Sequence, residues 1–292
     1  MNAVPPRSVL FLGDTDAGKT NYIARVWLGV QAGSGPLKSR RLPSNAQYLN
    51  AAQAKLLAGE FVGHTPSDVV SDSDIPLVFD DSSGSVDVDL IVPDYPGEQI
   101  RRIYKTREWS KEWEERMRLC SAVLLFIRPT SEQVVAPMDW LHASRLWNGS
   151  VPDANAHEAG PTPTQVVLVD WFQFLRATFS DLFGSSQRVR LGIVVSAWDS
   201  LPQEAQKEAP SRFLDQNYAL LGQFLRNNSA DFDSQVFGVS IVGGDLDQTA
   251  DFKTSYLAGD PAEAGYSVVD DGKGRARRED VLAPIAWALG LG

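Results

Sequence analysis

The chain has 292 residues, with 27 Lys and Arg against 37 Asp and Glu for a formal net charge of −10 at pH 7. At 43% hydrophobic and 10% aromatic it has ample material for a packed core, which excludes bulk disorder, and its length suits one large or two small domains. The acidity argues against phosphate-backbone binding, so no nucleic-acid partner is expected; the one cysteine, Cys120, excludes a disulfide framework and a cysteine-cluster metal site.

The N-terminal stretch through Pro5, Pro6 and Arg7 lacks the pattern of a signal peptide. The longest apolar run, Ala122 to Ile127, is far short of the roughly 20 residues that span a bilayer. No membrane span is expected, and a soluble cytoplasmic location follows. Val9 to Leu12 is a short apolar run ending in glycine, as a buried parallel strand should look. Ile23, Val26, Trp27 and Val30 then recur at helical spacing, and a second helix is predicted from a cap at Ser44 to Ala58, stopped by Gly59. Ile75 to Phe79 and Val86 to Val92 predict strands, antiparallel neighbours across the loop Asp80 to Gly84. A charged helix is predicted over Ile100 to Met117, with Trp109 and Trp113 four apart. The buried strand Ala122 to Ile127 follows, closed by Arg128-Pro129. After a loop at about 148–164, a helix is predicted over Gln165 to Phe183, a buried strand over Arg190 to Val195, a helix over Ser211 to Arg226 and a last strand over Val236 to Ile241. Residues 243–278 are polar and glycine-rich, and Asp280 to Leu289 predicts a closing helix. Strands alternating with helices imply a largely parallel sheet covered on both faces, with ligands at its carboxyl edge.

Three motifs fall at those strand ends. Gly13-Asp14-Thr15-Asp16-Ala17-Gly18-Lys19-Thr20 fits G-x-x-x-x-G-K-[ST] between a predicted strand and a predicted helix, which identifies a phosphate loop. The glycines let the backbone wrap a phosphate with its N–H groups inward, Lys19 reaches the β- and γ-phosphates, and the Thr20 hydroxyl serves Mg²⁺. The strand Val88 to Val92 runs into Asp94-Tyr95-Pro96-Gly97, a D-x-x-G in which Asp94 suits the Mg²⁺ shell and Gly97 offers its N–H to a γ-phosphate. Leu191 to Val195 leads into Ser196-Ala197-Trp198-Asp199, which is similar to the guanine-specifying [NT]-K-x-D box. A carboxylate accepts both the ring N–H and the exocyclic amine of guanine, a pair of donors that adenine lacks. Asp199 is kept, while Ser196 and Ala197 replace the usual Asn or Thr and Lys. Alanine cannot cover the purine as the lysine stem does, and Trp198 is the expected substitute, by stacking.

Spread from residue 9 to about 241, these motifs resemble a TRAFAC-class P-loop GTPase, closest to the bacterial double-GTPase group in length, long first linker and polar tail. The resemblance implies a three-layer α/β fold, a mostly parallel sheet with one antiparallel strand and helices on both faces. It implies one domain over 1–292, with a long switch-region loop (about 31–74) and a polar C-terminal extension (about 243–292). It implies GTP or GDP with Mg²⁺, slow hydrolysis, and a molecular switch that works with a second GTPase or an effector in signalling or defence and dimerises with nucleotide. By the same resemblance the nucleotide contacts run from Gly13 through Thr20 to Asn21, with Gly97, Ser196, Trp198, Asp199 and Ser240. Thr20, Asp94 and a switch threonine, Thr65, hold the metal. The water-orienting place after Gly97 is held by Glu98, with Gln99 next, so Gln99, Glu98 and Thr65 are the catalytic candidates. Arg101 and Arg102 read as a solvated helix face. Two other readings stay open: a module that holds GTP or GDP without hydrolysis, favoured by Glu98, and a P-loop ATPase, favoured by the altered guanine box.

The remaining chemistry-bearing residues read as structural. His64, His142 and His157 have no zinc spacing. Cys120 suits packing, and Trp27, Trp140, Trp147 and Trp171 the core. Arg275, Arg277 and Arg278 suit a solvated turn before the last helix.

Overall fold

A computed structural model of the chain describes residues 7–43, 46–63, 73–81, 84–92, 105–109, 111–137, 162–183, 188–248, 250–272 and 274–291. In chain order the described elements are β1 (Arg7–Leu12), α1 (Lys19–Ala32), β2 (Leu37–Ser39), α2 (Ala46–Leu57), β3 (Ser73–Asp81), β4 (Gly84–Val92), α3 (Lys111–Leu119), β5 (Cys120–Ile127), α4 (Thr164–Phe183), β6 (Val189–Ser196), α5 (Gln203–Gln206), α6 (Pro210–Asn217), α7 (Ala219–Asn227), β7 (Phe232–Ser240), α8 (Ala250–Ala258), β8 (Tyr266–Asp270), β9 (Arg275–Arg278) and α9 (Ala283–Ala288).

The strands form one nine-stranded sheet in the order β2-β3-β4-β1-β5-β6-β7-β8-β9. From β4 to β7 all neighbours are parallel, and β3 and β8 run against the others, two antiparallel strands where one was expected, because the segment after β7 adds to the sheet. The inner strands are apolar throughout because both their faces are covered. Val9 and Phe11 of β1 pack on one side with Leu124 and Phe126 of β5, under α1, α2 and α9. Leu10 and Leu12 pack on the other with Val123 and Leu125, under α4, α6 and α7 through Phe172, Leu175, Phe213 and Leu221. This period-2 division makes the three layers expected from the alternation. Trp27 and Trp171 are buried as predicted. Trp140 and Trp147, like His64, His142 and His157, lie outside the described residues.

Three expectations are corrected. The helix predicted over Ser211 to Arg226 is two, broken at buried Tyr218. The side-chain amide of Gln165 in α4 caps the break, donating to the carbonyl of Asn217 at 3.0 Å and accepting from the N–H of Leu220 at 3.0 Å. Next, β7 is not the last strand. The segment read as a polar extension adds β8 and β9 to the sheet, with Val268 and Val269 in the core. Gly265 lets this happen: at φ 89° it passes so close to β7 that a Cβ would lie 2.4 Å from the carbonyl of Ile241. Finally, Arg275, Arg277 and Arg278 lie in edge strand β9 rather than a turn, and the Arg277 guanidinium covers the Tyr266 ring at 3.9 Å. Positive charge along an exposed edge discourages pairing with other chains. The linker read as a long loop also carries β2 beside the expected helix.

The C-terminal segment is stitched to α1. The Tyr22 hydroxyl donates to the carbonyl of Val281 at 2.8 Å, and the buried Arg25 guanidinium donates to that of Ala264 at 2.7 Å. Burial pushes the Cys120 thiol up to about 12, which keeps it a packing residue rather than a nucleophile.

Candidate functional site

Parallel register gathers the strand tips at one edge. Leu12 pairs with Leu125, Ile127 with Val195 and Ser196 with Val239, so the segments after β1, β5, β6 and β7 emerge side by side. The D-x-x-G strand joins them, since Ile91 of β4 pairs with Leu10. Asp94, Gly97, Glu98, Gln99 and Thr65 themselves lie outside the described residues.

The phosphate loop leaves β1 through Gly13, where φ is 148° and a Cβ would meet the carbonyl of Phe126 at 2.6 Å. No side chain fits there. Asp16 takes a left-handed conformation, φ 65°, and Gly18 follows at 87° as the cap of α1. The Lys19 ammonium folds back over the loop, donating to the carbonyls of Gly13 (2.7 Å) and Asp14 (3.0 Å). Thr15 donates its N–H to the Asp14 carboxylate at 2.8 Å. Thr20 stands half-buried in the first helical turn. The loop thus presents a cation and a helix N-terminus together, the arrangement that holds anionic phosphate. Asn21, expected among the nucleotide contacts, has its side chain tied to the protein. Its amide donates to the carbonyl of Val62 at 3.0 Å and accepts from the Val62 N–H at 2.8 Å, which anchors the segment two residues before His64-Thr65.

Ser196 joins this loop to the base box. Its hydroxyl donates to the carbonyl of Ala17 at 2.8 Å, and a Cβ on Gly18 would sit 3.1 Å from its Oγ. A small hydroxyl residue therefore bridges the two segments. Ala197 turns the chain with φ 50° into a 3₁₀ turn, Trp198–Ser200. The stacking expected of Trp198 is corrected: the side chain is fully buried, edge-on to Phe213, and its indole occupies the space where a Cβ of Gly238 would lie at 2.4 Å. Packing rather than base contact explains it.

Asp199 is carried by that turn, braced by the Gln206 amide, which donates to the Asp199 carbonyl at 2.9 Å. Burial raises its carboxyl above the ordinary range; a hydrogen bond from Ser240 and the charge of Arg128 pull it down, while Asp245 pushes it up. Ser240 is fully buried and accepts from the N–H of Gly243 at 2.9 Å. The Asp199 carboxylate at this edge thus lies in the neighbourhood of Ser240. Arg128, to which the sequence assigned no task, ion-pairs with Asp16 at 2.8 Å.

For Mg²⁺ the donor chemistry fits. Thr20 offers a hard oxygen, and magnesium is commonly held by one or two protein oxygens together with substrate phosphates. Among the described residues no group of three acidic, His or Cys side chains is arranged for a metal.

A model of the Double-GTPase 1 family matches residues 10–288. The chain belongs to that family. As a Double-GTPase 1 protein it is a GTP-binding protein of the P-loop GTPase class. In three dimensions it is similar to the GDP-bound Roco2 RocCORdC of Methanosarcina barkeri, at 14% identity and a TM-score of 0.32 over 87% of this chain and 48% of that one. It is similar to the signal recognition particle receptor SRb in the SRb-GTP/SRX complex of Chaetomium thermophilum, at 17% and 0.34 over 87% and 98%. It is also similar to the GTP-bound GTPase-like domain of Ski7 from S. cerevisiae, at 13% and 0.38 over 81% and 43%. The chain spans about half the length of the Roco2 chain and less than half of the Ski7 chain. No curated protein matches the sequence.

Proposed function

We propose that this Double-GTPase 1 protein is a Mg²⁺-dependent switch in the bacterial cytoplasm that hydrolyses GTP slowly and reports its state to a second GTPase or an effector in signalling or defence. The observation that supports it most is the Ser196–Ala17 hydrogen bond, 2.8 Å long, which welds the base box to the phosphate loop. One rigid frame can then hold both ends of one nucleotide. Lys19 would neutralise the β- and γ-phosphates, and Gly97 would donate its N–H to the γ-phosphate. Thr20, Thr65 and Asp94 would hold Mg²⁺, which supplies charge neutralisation between the phosphates when bound. The Asn21–Val62 tie fixes the chain shortly before Thr65, where ordering by γ-phosphate and release after hydrolysis would begin. Among the described residues no helix is long and apolar enough to cross a membrane. Dimerisation through the nucleotide face is part of the proposal.

Glu98 favours a second reading, a GTP- or GDP-holding module without turnover, because a carboxylate beside the γ-phosphate opposes the charge that builds there. Phosphate release from GTP under single-turnover conditions, with Mg²⁺ and with EDTA, separates the two. The switch reading expects release of the order of 10⁻⁴ to 10⁻² s⁻¹ that EDTA abolishes. Background release under both conditions, with nucleotide bound, establishes the holding module.

The state of Asp199 makes binding pH-dependent. Two guanine N–H donors favour the ionised carboxylate, while burial in the free protein favours the protonated one. Asp245, Arg128, Ser240 and Tyr266 are the groups that face it. GTP affinity should therefore fall as the pH drops through a value above the ordinary carboxylate range, with proton release on binding in that window. Calorimetry in buffers of different ionisation enthalpy reads this directly; no proton release at mildly acidic pH contradicts it.

A further inference from the structure

The guanine box carries alanine where a cationic side chain would cover the base, and Trp198 is buried. A different strand brings a cation to the same edge of the sheet. Arg128 directly follows β5, and the register Ile127 to Val195 puts it beside Ser196 at the carboxyl edge. Its Nη1 donates to the Asp16 carboxylate at 2.8 Å, so its head is tethered to the left-handed turn of the phosphate loop. The segment it starts abuts the turn that carries Asp199, with Thr130 Oγ1 3.4 Å from Ser200 Oγ. Its charge is felt at Asp199 as well. Its Nε is buried without a hydrogen-bond partner, so among the described residues the head is held through Nη1 and Asp16. The following residue, Pro129, restricts the backbone of Arg128 to an extended conformation and so limits where the side chain can start.

We infer that Arg128 is a nucleotide-binding residue, its guanidinium lying against the purine of a nucleotide that runs from the phosphate loop to Asp199 and standing in for the cation missing at Ala197. Guanidinium planes stack on aromatic faces, and desolvation at such a site strengthens the contact. Asp16 holds the plane in place, which accounts for an acidic residue inside a loop that binds phosphate. Arginine rather than lysine suits the task because one planar group can pair with Asp16 along its edge and offer its face to the base.

This inference rests on the guanine-nucleotide reading, and the test separates the two. Fluorescent GDP is titrated into the wild type, Arg128→Ala, and Arg128→Ala combined with Ala197→Lys, and inorganic tripolyphosphate is used as competitor throughout. Arg128→Ala is expected to weaken GDP about tenfold more than it weakens tripolyphosphate, because loss of the pair with Asp16 is felt by both ligands and loss of the base contact by GDP alone. Placing a lysine at position 197 returns most of that affinity. Equal weakening of GDP and tripolyphosphate would reduce Arg128 to a brace for the loop and overturn the base contact. So would unchanged GDP affinity in Arg128→Ala, or a double variant no better than the single one. Absence of GDP binding in the wild type would overturn the guanine reading itself and this inference with it. Thermal melts of the unliganded variants check that the loop and sheet remain folded.

Discussion

Asp199→Asn lowers the affinity for GTP by about a hundredfold or more and raises that for xanthosine triphosphate. Guanine meets the carboxylate with two donors, the ring N–H and the exocyclic amine. Asparagine answers one of them with its carbonyl and confronts the other with its own N–H₂, so a charged acceptor is lost and a donor faces a donor. A hydrogen bond to a charged group contributes about 1.5–3 kcal/mol, and the mismatch adds to that loss. Xanthine carries an oxygen where guanine carries the amine, which turns the mismatch into a match. The substitution is nearly isosteric, and removing a carboxylate whose ionised form burial disfavours does not threaten the fold. Equilibrium titration with both nucleotides checks it. Unchanged GTP affinity would mean that Asp199 does not read the base.

Lys19→Ala removes binding of the triphosphate, with a loss on the order of a hundredfold or more, and leaves the fold intact. The ammonium is the cation of the phosphate loop, held by the carbonyls of Gly13 and Asp14 at 2.7 and 3.0 Å. The truncation removes both this brace and the charge facing the phosphates. The side chain is only half-buried, and the loop's shape rests separately on Gly13, Gly18 and the Ser196 bridge. Loss of nucleotide binding should therefore come without a large change in melting temperature of the unliganded protein. A variant that still binds GTP as tightly as the wild type would show that Lys19 does not face the phosphates.

The parts of this molecule that were legible in the sequence are those whose signal is local. A phosphate loop needs glycine at fixed places because its backbone must approach a neighbour, here the carbonyl of Phe126, where no Cβ fits. Strands covered on both faces read as unbroken apolar runs, so β1, β5 and β6 stood out. What was hidden depends on partners distant in the chain. The break at Tyr218 is stabilised by Gln165, more than fifty positions away, which no helical periodicity records. Trp198 was taken for a base-stacking ring because its neighbours in sequence belong to a ligand box; the pocket that buries it is opened by Gly238 on the adjacent strand. The strands β8 and β9 are short, and glycine and aspartate around Tyr266 to Asp270 masked a core strand as polar tail. Asn21 continued the phosphate-loop motif in sequence, yet its amide is occupied by Val62. Arg128 did carry a signal, a cation at the tip of a buried strand beside a base box lacking its own. That signal becomes readable only once β5 and β6 are known to be neighbours.

The central claim is that the sheet edge from Gly13 to Ser240 holds a guanine nucleotide. Its most direct test is binding of a fluorescent guanine nucleotide in the presence of Mg²⁺, competed separately by GTP, GDP and ATP, with Lys19→Ala as the blank. Displacement by GTP and GDP but not by ATP is the predicted result; displacement by ATP as good as or better than by GTP would contradict it.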